Sequence, residues 1–133
     1  MRKSIISLKR SFLLMLFVAL GSCSIAHSGS LSGHSLTVTA TAYNSVKAQT
    51  QGNPSIGAWG DRLKPGMKVI AVSRDLLRMG LKHNTRVKID GLPGTFLVKD
   101  KMNKRWSRKI DIYMGRDIKA ARQWGKRKVT ITW

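Results

Sequence analysis

The chain contains no glutamate, and its six acidic residues are all aspartates, set against 25 lysines and arginines. A hydrolase built on paired glutamates is therefore excluded, and any acid–base site has to draw on aspartate. There is one cysteine, Cys23, so no internal disulfide forms and packing alone must carry stability. The three histidines, His27, His34 and His83, are scattered without zinc-ligand spacing. No G-x-S-x-G and no P-loop occurs. The sequence calls for no metal and no cofactor, and it shows no internal repeat and no heptad pattern.

Arg2, Lys3, Lys9 and Arg10 form a positive n-region ahead of the apolar run Phe12 to Leu20, and small residues follow at Gly21 and Ser22. The run is too short to span a bilayer, and the layout is that of a secretory leader covering residues 1–22. Cys23 closes the stretch LGSC, which resembles the lipobox of bacterial lipoproteins. In that motif the thiol takes a diacylglycerol and becomes the mature N-terminus. Ordinary cleavage a few residues later, near SIA or AHS, is the competing reading. Ser24 follows the cysteine, and by resemblance to Gram-negative lipoproteins the absence of Asp there favours the outer membrane. Residues 23–35 are a Ser/Gly-rich tether reaching about 20 Å r.m.s..

Cleavage before Cys23 removes 22 of the 133 residues and leaves 111, enough for one compact domain over residues 36–133. It takes four basic residues with it, so the formal charge of +19 falls to +15. Such a charge draws the chain to polyanions. Export argues against nucleic acid. Anionic lipid headgroups and the carboxylates of cell-wall peptides are the better partners.

The domain reads as short strands divided by turns. LTVTATAY alternates, with Leu36, Val38, Ala40 and Ala42 on one face and Thr37, Thr39, Thr41 and Tyr43 on the other. A polar segment, 44–66, follows. KVIAVS is a buried strand. RDLLRMG forms one or two helical turns with Ser73 as N-cap and Gly80 as the stop. TRVKI and TFLVK flank DGLPG as a hairpin. KIDIYM, a short helix over RDIKAARQWG and a last strand, KVTITW, complete the chain. Six short strands with one or two short helices predict a mainly β domain closed into a small barrel.

Half of the aspartates lie between Asp100 and Asp117. In KIDIYM the isoleucines claim the core, so Asp111 and Tyr113 face a groove. Asp100 shares parity with Phe96 and Val98, at the end of a partly apolar face. Two carboxylates on neighbouring strand ends can share one cleft, although either can instead pair with a surface cation. Asp117 sits where a carboxylate caps a helix. Asp90 belongs to a turn, Asp75 to the first turn of a helix, and Asp61 is undecided. Trp124 and Trp133 follow packing positions. Trp59 and Trp106 lie in loops, where an indole either packs or stacks on a sugar face, and Tyr113 is a further stacking candidate.

The segment VKDKMNKRWSRKIDIYMGRDIKAARQWGKRKVTI resembles the three-aspartate domain family, and TATAYN and VIAVS resemble two of its other strands. That family includes the barrel domain of the membrane-bound lytic transglycosylase A group. The resemblance implies a six-stranded double-psi β-barrel, as in rare lipoprotein A-like domains, and action on peptidoglycan glycan strands. It makes Asp111 the general acid and Asp100 its neighbouring acid. The family's first Asp directly follows I-A-V. Here that position is Ser73, and the nearest carboxylate, Asp75, is the third acid the resemblance offers. The implied function is a lytic transglycosylase that forms 1,6-anhydromuropeptides. A non-catalytic peptidoglycan-binding module on the same fold is the alternative.

The lone thiol generates a direct test. Cys23→Ser abolishes lipidation and moves the protein from the membrane fraction to the soluble one. A wild-type protein that is already soluble, with an N-terminus near His27 or Gly29, contradicts the anchor.

Overall fold

The computed structural model describes residues 33–46 and 55–133. The leader, Cys23 and nearly all of the tether lie outside the described residues. Among the described residues six strands occur: β1 (Ser35–Tyr43), β2 (Val69–Val72), β3 (Arg86–Ile89), β4 (Thr95–Lys101), β5 (Lys109–Tyr113) and β6 (Arg127–Thr132). Two short helices, α1 (Arg74–Arg78) and α2 (Ile118–Trp124), sit between them. The strands close into a barrel in the order β1-β5-β2-β4-β3-β6. β1 pairs parallel with β5, and β2 parallel with β4; the other four pairings are antiparallel. Closure removes every sheet edge.

Alternation explains the core. Val38 and Ala40 from β1, Ile70 and Val72 from β2, Val87 and Ile89 from β3, Val98 from β4, Ile110 and Ile112 from β5 and Ile131 from β6 meet inside the barrel. Leu76 of α1 and Leu81 close one part of it, and Trp133 packs against the same cluster. Each fully buried aliphatic side chain contributes about 1.5–3 kcal/mol, which is the stabilisation a disulfide-free domain has to rely on. A smaller cluster of Leu63, Val69 and Tyr113, with Tyr43, Met67 and Leu97 against it, lies on the other side of the wall.

Two local expectations change. Ser73 does stand at the N-cap of α1, but its hydroxyl makes no cap bond. It accepts the Lys109 N–H at 3.0 Å and so ties α1 to the start of β5. The parity of β4 also breaks. Ile70 pairs with Val98 but Ala71 pairs with Asp100, so Lys99 is an extra residue in a β-bulge. Asp100 is thereby turned off the Phe96–Val98 face.

Asp117 caps α2 as its sequence position predicts, accepting the Ala120 N–H at 2.9 Å. Gly125 ends the helix at φ 66°, a left-handed backbone that glycine adopts without a Cβ clash. Asp117→Ala lowers stability by about 1 kcal/mol, whereas Asp117→Asn, which still offers a cap oxygen, changes it by a few tenths. Thermal melts of both variants check this; equal losses would remove the capping role.

Candidate functional site

The bulge assembles a row across four strands. Thr41 of β1 pairs with Asp111 of β5, Asp111 with Ala71 of β2, and Ala71 with Asp100 of β4. Ala71 is the small residue in an otherwise Val/Ile strand. It leaves a hollow between the two carboxylates, and the cleft there has a volume of about 240 Å³. Tyr43 forms one wall. Lys101, Met102, Asn103 and Trp106, from the end of β4 and the loop after it, form the other.

The two acids are held differently. Asp100 accepts the Ala58 and Lys101 N–H groups, both at 2.9 Å on Oδ1. Burial pushes its carboxyl up, and those two bonds and the Lys101 charge oppose the rise. Among the described residues Asp111 accepts a hydrogen bond from the Thr41 hydroxyl alone, at 3.0 Å. Burial is the largest influence on it; the Thr41 bond and the Lys109 ammonium pull down, and Asp100 adds a further push upward. The result is a carboxyl raised from 3.8 to about 6. The Tyr43 phenol is also pushed up, first by burial and then by both aspartates. Its hydroxyl is buried with no hydrogen-bond partner among the described residues.

The remaining candidates take other places. Asp75 is not in the cleft. Its carboxylate accepts the Ser107 hydroxyl at 3.1 Å and the Arg108 N–H at 2.9 Å. It thereby pins the loop that carries Trp106, at a point where Arg108 holds a left-handed φ of 45°. Arg74 Nε, donating to the Met102 carbonyl at 3.2 Å, secures the other end of that loop. Tyr113 is buried, tilted against Tyr43 with ring centroids 5.4 Å apart, and donates its hydroxyl to Ser45. It supports Tyr43 and offers no open face. Trp59 stacks on His83 at 4.7 Å, with the Lys101 ammonium 5.8 Å from its ring centre. Trp106 lies at the cleft rim, 38% exposed, with the Lys109 ammonium 3.6 Å and the Arg105 guanidinium 4.9 Å from its ring centre. Of the three aromatic candidates it is the one that lines the cleft.

Asp61 is resolved as a brace. Its carboxylate binds His83 Nε2 and Lys99 Nζ, the latter at 3.1 Å, and these are the ion pairs among the described residues. The Lys99 hydrogen bond is the first cause holding its carboxyl below the usual range, with His83 adding to it. This brace anchors the 55–63 loop, whose Ala58 N–H reaches Asp100. Gly57 makes the approach possible, because a Cβ there would lie 2.2 Å from the Lys99 carbonyl oxygen.

Thr41, Tyr43, Ala71 and the Ala58 N–H are site components that reading the aspartates alone does not reach. The polar face of LTVTATAY carries a signal for the first two, and Ala71 is visible as the one small residue in VIAV. The Ala58 contact depends on a loop returning to β4 and has no local signature.

No protein-family model matches the chain, and no curated protein matches it. Among solved structures, the apo form of an expansin from Clavibacter michiganensis matches with a TM-score of 0.50 and 18% identity, over 75% of this chain and 50% of that one. The chain thus spans half the length of that structure. The likeness, together with the six-strand closure, defines the class: a small double-psi β-barrel, as the sequence resemblance implies. The three-aspartate resemblance is supported at the level of this fold.

The raised carboxyl has a consequence for stability. A group whose folded pKa lies above its unfolded one favours the fold when protonated. Its penalty is absent below about pH 4 and sets in as pH rises toward 6. Asp111→Asn therefore melts above wild type at pH 7.5, by on the order of 1–3 kcal/mol in stability, and the gap closes by pH 4. Carboxyl NMR on the wild type is expected to show Asp111 titrating near pH 6. Thr41→Val moves the midpoint higher, because the hydroxyl bond favours the charged form. A midpoint near 4 contradicts the buried-site geometry.

Proposed function

We propose that this chain is a cell-envelope barrel that binds peptidoglycan glycan strands in the Asp100–Asp111 cleft. The observation that carries the reading is the cleft itself: an open hollow lined by two carboxylates and by Lys101, with an indole at its rim and Lys109 and Arg105 against that indole. Carbohydrate recognition needs aromatic faces and hydrogen-bonding groups, and cations at the rim attract a wall polymer that carries carboxylates. The barrel shared with the expansin supports the scaffold on which this rests. The leader and Cys23 put the protein on the periplasmic face of the outer membrane, tethered by lipid. Binding alone is a complete function for such a module.

Asp111 favours a second reading, lytic cleavage. A carboxyl raised to about 6 is partly protonated near neutral pH. It could protonate the glycosidic oxygen as the bond to muramic C1 breaks. The muramic 6-hydroxyl then attacks C1, and its proton passes to the Asp111 carboxylate, which regenerates the acid. The product is a 1,6-anhydro ring and no water is consumed, unlike two-carboxylate hydrolysis. Asp100 adds negative charge beside the developing cation.

Incubation of the purified chain with sacculi tests both. Co-sedimentation that weakens with salt and leaves no new product supports the binding module. Anhydromuropeptides detected by mass spectrometry, reduced at least about 100-fold in Asp111→Asn, establish the lytic reading. Failure to co-sediment at any salt concentration overturns both.

A further inference from the structure

A second concavity adjoins the cleft. It lies between the C-terminal end of β1 and α2, has a volume of about 430 Å³, and is lined by Ala42, Tyr43, Asn44, Ile118, Ala121 and Arg122. Tyr43 lines both hollows, so a ligand in the cleft lies one side chain away from the groove.

The chemistry of the groove differs from that of the cleft. Two alanines and Ile118, which is exposed despite being an isoleucine, contribute small and apolar side chains to its lining. Ile118 and Arg122 are four residues apart on α2 and so lie one above the other on the same helix face. The Arg122 guanidinium has no carboxylate partner among the described residues. Asp117, at the start of the same helix, is occupied by the Ala120 N–H. Asn44 is buried and spends its amide N–H groups on the Met114 and Gly115 carbonyls, both at 3.3 Å. Its Oδ1 is sealed from solvent with no donor among the described residues, so Asn44 shapes the end of the groove without offering that atom to it.

Small residues, a guanidinium without a carboxylate partner among the described residues and a wall shared with the cleft together describe a site for an acidic peptide. The side chains must be small, and a carboxylate must reach Arg122. A bare neutral sugar ring offers no anion for the guanidinium. We propose that the groove between β1 and α2 is a subsite for the short, acidic, alanine-containing peptide that branches from a peptidoglycan strand held in the neighbouring cleft. This rests on the glycan-binding reading and adds to it that the chain distinguishes peptide-bearing from stripped strands.

The test is calorimetric titration of the full chain with three probes. These are a muramic-acid-containing tetrasaccharide carrying its peptides, the same tetrasaccharide after amidase removal of the peptides, and the free peptide. The peptide-bearing glycan is expected to bind about tenfold more tightly than the stripped one, the scale of one charge-assisted hydrogen bond. Arg122→Gln, on an exposed helix face, erases that difference, leaves the stripped glycan's affinity unchanged and melts like wild type; Arg122→Lys recovers part of the preference. Equal affinities for the two glycans in the wild type, or an equal loss on both in Arg122→Gln, overturn the subsite and leave glycan binding standing. Binding of the free peptide alone, abolished by Arg122→Gln, keeps the groove and overturns the cleft reading. Binding of none of the three overturns both.

Discussion

The bulge at Lys99 is the constraint on which the cleft depends. In a regular β4, Asp100 would follow Phe96 and Val98 toward the barrel interior, where an unpaired carboxylate costs several kcal/mol or stays neutral. The extra residue moves Asp100 opposite Ala71 instead, one strand from Asp111. The 55–63 loop then closes over the bulge. Gly57 fits against the Lys99 carbonyl, Ala58 donates to Asp100, and Asp61 holds the Lys99 ammonium. Backbone irregularity, glycine and ion pair are one device. The side chain of the bulged residue braces the loop that satisfies the carboxylate the bulge has re-aimed.

The aspartates divide by what they hold. Asp61 binds two cationic side chains, Asp75 fixes the Trp106 loop, and Asp117 caps a helix. Asp100 and Asp111 differ in that burial pushes their carboxyls up, with no ion-pair partner among the described residues to offset it. Leaving these two unpaired is unfavourable for folding above the Asp111 pKa. A position where the native residue works against stability is a recurrent mark of a site kept for binding or chemistry.

Much of this was legible from residue order. Alternation in LTVTATAY and KIDIYM gave the core faces correctly, and the turn and cap residues marked both helices, so six strands and a closed barrel followed. Asp111 and Asp117 were placed by parity and by position. Asp100 was assigned to the right cleft but by the wrong parity, because a bulge is a property of strand pairing and leaves little trace in one strand. The role of Asp75 was not legible either. Its partners, Ser107 and Arg108, lie more than thirty residues away, and only the packing of α1 against that loop brings them together. Tyr113 was a stacking candidate, but its ring is buried against Tyr43, and Trp59, left open between packing and stacking, rests one face on His83, a partner that periodicity does not pair with it.

The competition around Asp111 could not be decided by counting charges. Lys101, Lys104, Arg105, Arg108 and Lys109 all lie within ten residues of it, and by sequence alone they would depress its pKa. The structure shows where the nearest of these heads go. Lys109 and Arg105 sit on the Trp106 ring, and Lys101 lies over Trp59, so none of the three forms an ion pair with Asp111. A cation held against an indole keeps its field but gives up the contact geometry in which that field is strongest. Burial and the Asp100 charge then outweigh what is left. The loop tryptophans thus have a part in setting the protonation of the cleft as well as in shaping its rim. An anionic ligand that draws Lys109 off Trp106 would alter the charge felt by Asp111 at the moment of binding.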